Sequence, residues 1–156
     1  MDAISTERLA VVHPELARRI LQLYAMAESE FRITQGLRSW QEQANLYAQG
    51  RTAPGEIVTN AQPGYSFHCF GLACDFVPMA NGQPIWDTQQ PEWKHIIDLA
   101  PSCGLVSGST WIHFPDWPHL QPSELPITPT DTDRQDFIEA GISAVWENYA
   151  AKLLST

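Results

Sequence analysis

The sequence predicts an α+β domain: a small antiparallel sheet flanked by helices, with a further helix at the C-terminal end. Three observations predict it. Apolar residues recur at helical spacing from Leu16 to Ala27, around Trp93, and from Ile138 to Leu153. Short β-type runs, FRIT at 31–34 and GLACDFV at 71–77, lie between these stretches. Asn81-Gly82 is a strong hairpin signal. Helices outside and strands between make an α+β arrangement.

Each element has its own justification. A helical turn is expected from Thr6 to Val12. Pro14 fits the first turn of the next helix, and Glu15 adds a favourable charge there. Its apolar stripe is Leu16, Ile20, Leu23, Tyr24 and Ala27. FRIT then reads as a short strand. In SWQEQANLYAQG, Ser39 and Glu42 make a capping box, and Gly50 stands where a helix commonly stops. Residues 51–65 are rich in Pro, Gly, Asn and Thr and read as a loop. GLACDFV reads as a strand buried on both faces. The stretch from Pro91 to about Cys103 is helical, with Trp93, Ile96, Ile97 and Ala100 on one face, and TWIHF at 110–114 reads as a short strand. Pro122, Pro126 and Pro129 mark a turn away from the core. Thr132 with Gln135 can cap a last helix to about Leu154, with the stripe Ile138, Ile142, Val145, Tyr149 and Leu153. The organisation expected is a core over 1–121, and a proline-rich turn and helix over 122–156 packed on the same domain.

Composition excludes several function classes. The chain has 156 residues, enough for one sizeable core, and only 17% are charged, so it is globular rather than disordered. Its net charge is −9, and the nine basic residues form no stripe, which argues against nucleic acid and against anionic membrane surfaces. No apolar run reaches the ~18 residues of a membrane span. The N-terminus has no basic start followed by an apolar core, so synthesis in the cytoplasm without a signal peptide is expected. Cys69, Cys74 and Cys103 are odd in number and include no CxxC, so they read as reduced, buried thiols. His13 and His95 read as capping or surface histidines.

The chemistry concentrates in two places. In GYSFHCFGLACDFVP, at 64–78, an apolar run carries His68 and Asp75. A buried carboxylate needs a partner, and a metal ion is one possibility. On one straight strand the two residues would stand about 23 Å apart and face opposite sides. The chain must therefore turn between them, and Gly71 permits it. His68 is then expected on a loop and Asp75 inside the following strand. The second place is WIHFPDWPHLQ at 111–121. Pro118 disfavours helix at Trp117, so Asp116 and His119 sit in a turn or extended segment. His119 can complete a three-ligand set with His68 and Asp75. Asp116 stays off the metal as a proton acceptor. A catalytic zinc keeps three protein ligands and one open position, and it brings the pKa of bound water to about 7. His113 competes as a ligand; its other reading is a strand residue near the mouth of the site.

These residues carry a family resemblance. SFHCFGLACDF resembles the Ser-x-His-x-x-Gly-x-Ala-x-Asp motif of the zinc D,D-carboxypeptidase and L-alanyl-D-glutamate endopeptidase family, enzymes that cut the peptide stems of bacterial cell walls. DWPHLQ is similar to its second motif, an acid three residues before the last zinc-binding His. GLRSWQEQANLYAQGRT is similar to the segment carrying its active-site arginine, here Arg38, and ERLAVVHPELARR to the start of the endopeptidase branch, which includes many phage endolysins. The resemblance runs from about residue 6 to 121. It implies His68, Asp75 and His119 as zinc ligands, Asp116 as catalytic base, and Arg38 as the group that holds the substrate carbonyl and oxyanion. Ser66 is implied near the site, and with His113 it is the candidate for touching substrate. SGSTW departs from the Gly-Gly pair that often precedes this Trp in the branch.

The function expected is therefore a zinc-dependent peptidoglycan hydrolase of the endolysin type. It would cut the stem, most readily at the L-alanyl-D-glutamate bond, acting as a monomer on the wall after release from the cytoplasm. Two alternatives stand beside it: a D-alanyl-D-alanine carboxypeptidase or dipeptidase, and a non-catalytic zinc-binding module of the same fold. Asp116 weighs against the last, since a binding module needs no unligated acid.

Overall fold

The computed structural model describes residues 1–154. The fold is α+β, and a five-stranded antiparallel sheet lies at its centre. Two short helices open the chain. The first, α1 (Ala3–Leu9), starts earlier than the sequence suggests because the Asp2 carboxylate accepts the Ser5 amide at 2.8 Å. The second, α2 (Pro14–Ala27), buries Leu16, Ile20, Leu23 and Ala27 along the expected stripe. His13 caps it, with Nδ1 accepting from the Glu15 amide. Strand β1 (Phe31–Gln35) follows, then α3 (Trp40–Ala48) with the expected Ser39–Glu42 capping box.

After the loop, β2 (Cys74–Ala80) runs through the middle of the sheet and turns at Asn81-Gly82, both at positive φ, into β3 (Gln83–Pro84). Helix α4 (Pro91–Leu99) continues as a 3-10 turn over Ala100–Cys103 and leads into β4 (Leu105–Ser107). Strand β5 is His119–Pro122. The sheet order is β1-β2-β5-β4, with β3 also on β2. One core lies between this sheet and helices α1, α2 and α4, built on Leu16, Ile20, Phe31, Ile33, Phe76, Trp93 and Ile96. All three cysteines are free and buried.

Two expectations fail. TWIHF is not a strand: the amides of Trp111 and Asp116 both donate to the Gly108 carbonyl, which folds the segment into a loop. Its apolar composition has another cause, because Trp111 and Phe114 line a cleft while Ile112 is 90% exposed. The last helix is two helices, α5 (Asp131–Ala140) and α6 (Ile142–Leu153). Gly141, at φ 83° and ψ −172°, breaks them in a conformation that favours glycine. The cap is not Thr132 with Gln135 but Thr130 with Asp133. Bonds from Tyr149 to Asp133 and from Asn148 to Asp136 show the two helices folded back antiparallel. Ile138 consequently faces solvent, while Val145, Tyr149 and Leu153 are buried against Phe67, Phe70 and Leu72 in a second apolar cluster. The last two residues of the 122–156 unit lie outside the described residues.

Candidate metal centre

The register of the sheet brings the two motifs together. Asp75 on β2 pairs directly with His119 on β5, 44 residues later in the chain. His68 reaches the same point from a 3-10 turn, Phe67–Phe70. Ser66 caps that turn by accepting the His68 amide, and Gly71, at φ 62°, ends it in a left-handed conformation. This is the turn the spacing of His68 and Asp75 requires. The carbonyl of His68 in turn accepts the Arg38 amide, which ties the arginine segment to the same turn.

His68, Asp75 and His119 each offer a ligand atom within 4.8 Å of the others. His68 Nε2 lies 3.0 Å from Asp75 Oδ1, and His119 Nδ1 lies 3.7 Å from the same oxygen. Tetrahedral ligands with ~2 Å bonds stand about 3.3 Å apart, so the set fits one small divalent ion. The opposite ring nitrogens are already engaged. His68 Nδ1 is 2.9 Å from the Gly36 carbonyl, and His119 Nε2 is 3.0 Å from Gln121 Oε1. Such outer bonds orient metal-binding imidazoles.

Electrostatics favour the charge states a metal needs. Burial alone would raise the Asp75 pKa, but His68, His119 and Arg38 outweigh it and hold the carboxyl at about 2. Burial, with His68 nearby, lowers His119 to about 4, so its ring is neutral at pH 7. Asp116 goes the other way: burial and then the Asp75 charge raise it to about 6. Two carboxyls in one site are thus pushed apart in pKa, the pattern that separates a ligand from a proton-transfer group.

Arg38 is 3.3 Å from Asp75 Oδ2 through one Nη and donates to Gln43 Oε1 at 2.8 Å through the other. Its buried Nε has no acceptor among the described residues, so the guanidinium keeps donor capacity. The site opens into a cleft of about 620 Å³. Arg38, Ser66, Asp116 and the three clustered residues share its lining. Val58 to Gln62, Trp111, Phe114, Ile127 and Thr128 also line it. His113 is exposed and is not part of that lining.

Gly108 sets the position of Asp116. A Cβ there would come within 2.7 Å of the Asp116 carbonyl and 3.1 Å of both the Asp116 and His119 Cβ atoms. The constraint is space, not backbone angle. Gly108→Ala is therefore expected to push the Asp116 segment off the cleft and lower any hydrolytic rate by roughly 100-fold, the scale of a ~1 Å misplacement. A rate equal to wild type would show that the acid tolerates displacement.

Two polar residues escaped the sequence reading. Gln43 is fully buried and joins Arg38 to the Ala61 carbonyl in the cleft loop. Gln121 is 2% exposed and joins His119 to the Pro126 carbonyl. Gln121 had a signal: in a strand, residues two apart share a face, so it must point where His119 points. Gln43 had only its place within a capped, apolar-periodic helix.

The fold is shared with a solved L-Ala-D-Glu endopeptidase of Serratia marcescens, ChiX, with a TM-score of 0.62 and 25% identity over 78% of this chain and 88% of that one. Residues 1–107 match the phage L-alanyl-D-glutamate peptidase family, and the chain belongs to it. It is 41% identical over 97 residues to the peptidoglycan L-alanyl-D-glutamate endopeptidase CwlK of Bacillus subtilis strain 168, covering 57% of this chain. It is 35% identical over 92 residues to the L-alanyl-D-glutamate peptidase of Escherichia phage T5. The matched segments span 58% and 61% of those two relatives. No helix among the described residues is long and apolar enough to cross a membrane.

Proposed function

We propose that the protein is a zinc-dependent peptidoglycan peptidase that cuts the L-alanyl-D-glutamate bond of the wall stem. The observation that carries this reading is the His68, Asp75 and His119 cluster, with Asp116 and Arg38 opening onto the same cleft. His68 Nε2, an Asp75 oxygen and His119 Nδ1 would hold the metal, which supplies Lewis acidity and acidifies water. Two imidazoles and one carboxylate with an open side suit catalytic zinc. Asp116, off the ligand set, takes a proton from the attacking water and returns it to the leaving amine. Arg38 donates to the substrate carbonyl oxygen as its charge grows, since a guanidinium stays charged and can make two hydrogen bonds at once. Gln43 and Asp75 hold that guanidinium in place. Family membership and the two curated relatives support the choice of bond, and the wall is then the place of action.

The deciding experiment digests purified wall material and identifies the new ends by mass spectrometry. New carboxyl ends on L-alanine and new amino ends on D-glutamate are expected. Release of a free terminal residue instead would move the protein to the carboxypeptidases, and no new ends at all would leave a binding module. Arg38→Ala is expected to lower turnover by roughly two to three powers of ten, the scale for loss of one oxyanion donor. An unaltered rate would make Arg38 a structural partner of Asp75 only.

A further inference from the structure

We propose that Gln121 is a positioning residue that holds the His119 ring in the tautomer a metal needs. The inference rests on the zinc reading above. Gln121 follows His119 by two residues on β5, and both side chains are buried. Its Nε2 donates to the Pro126 carbonyl at 2.8 Å. A carbonyl can only accept, so the amide nitrogen is pinned to that side and a flipped amide would set two oxygens against each other. Gln121 Oε1 therefore faces His119 Nε2, 3.0 Å away. That oxygen is also only an acceptor, so the hydrogen of the neutral imidazole resides on Nε2. The lone pair is left on Nδ1, the atom that faces Asp75.

Packing completes the arrangement. The His119 ring lies 4.9 Å from the Trp111 ring and 5.0 Å from the His68 ring, which limits its swing. His68 has the same device in a simpler form, a backbone carbonyl at Gly36. Gln121 differs because a side chain does the work and is itself anchored in the proline-rich turn. His119 and Gln121 both lie beyond the 1–107 stretch that matches the family. The turn that supplies Ile127 and Thr128 to the cleft wall thus also fixes the orientation of one candidate ligand.

The test uses the whole chain. Two-bond proton–nitrogen correlation on metal-free protein at pH 7 reports the His119 tautomer, and chelator competition reports zinc affinity. Wild type is expected to show His119 protonated at Nε2. Gln121→Met, which offers no amide oxygen, is expected to gain the Nδ1-protonated form and to bind zinc roughly 10- to 100-fold more weakly. Gln121→Glu keeps an acceptor and is expected to retain the Nε2-protonated form. Wild type protonated at Nδ1 overturns the proposal, as does Gln121→Met with the wild-type tautomer or the wild-type zinc affinity. If Gln121→Met does not fold, loss of the Nε2 proton in Gln121→Glu overturns it. A wild-type chain that takes up no zinc defeats the metal reading instead, whatever the tautomer shows.

Discussion

Asp116→Ala is expected to lower wall lysis by roughly 10²- to 10⁴-fold, the range for loss of a general base, while zinc remains bound. The separation follows from geometry: Asp116 lines the cleft but does not belong to the ligand cluster. Turbidity of purified walls and elemental analysis of the same preparation measure both quantities. Lysis at the normal rate would remove the base from the mechanism. The group must be ionised to accept a proton, and in the metal-free chain it titrates near 6. A divalent ion next to it pulls that value down, so the acid limb of kcat/KM is expected at or below about pH 6.

The same residue carries a stability cost above its folded pKa. Its folded pKa, about 6, lies above its ordinary 3.8, so between these values the folded state binds more protons than the unfolded one. Stability of the metal-free chain therefore falls as pH rises through that window, and the loss is complete above it. Asp116→Asn removes the charge at nearly constant shape. It is expected to stabilise metal-free protein at pH 7 by up to about 3 kcal/mol and to do nothing by pH 3.5. Thermal melts at the two pH values check this, and equal melting temperatures at pH 7 would mean that the carboxyl is solvated rather than held beside Asp75.

His68→Ala or His119→Ala is expected to abolish stoichiometric zinc and, with it, lysis. Two ligands remain in either case, too few for the geometry that the three residues make. Loss of metal removes a stabilising ligand: zinc at a hundred times its dissociation constant contributes about 2.7 kcal/mol to folding. Adding chelator should therefore lower the melting temperature of wild type and leave both variants unmoved. Unchanged metal content in either variant would count against that ligand. His119 is buried with a pKa near 4, so protons compete weakly for it until the solution is quite acid.

Much of this was legible in the chain because short-range rules govern it. The proline at the start of α2, the capping box of α3 and the Asn81-Gly82 hairpin are local signals, and each element formed where its signal lay. The turn at Gly71 followed from arithmetic, since a straight strand cannot bring His68 and Asp75 to one point. What escaped was set by distant contacts. Trp111 and Phe114 look like strand residues because cleft walls and strands share a taste for aromatic side chains. The break at Gly141 was hidden by an apolar stripe that continues across it, although Ile138 ended on the solvent side. Gln43 acts through the Ala61 carbonyl, which no spacing rule announces, and the signal at Gln121 needs the strand His119–Pro122, which forms only by pairing with distant chain.

The buried Arg19 binds widely separated parts of the chain at once: Glu15 on its own helix, Glu124 in the proline-rich turn, and the carbonyls of Gly104 and Leu153. Anyone trimming the molecule to a minimal fragment at residue 121 would take Glu124 and the Leu153 carbonyl from this guanidinium, and breaking a buried ion pair costs several kcal/mol. The cut would also bare Phe67 and Phe70, which share the 3-10 turn of His68, and Leu72 just after it. Engineered shortening should begin elsewhere, in residues 52–56, which meet water and lie outside the cleft lining.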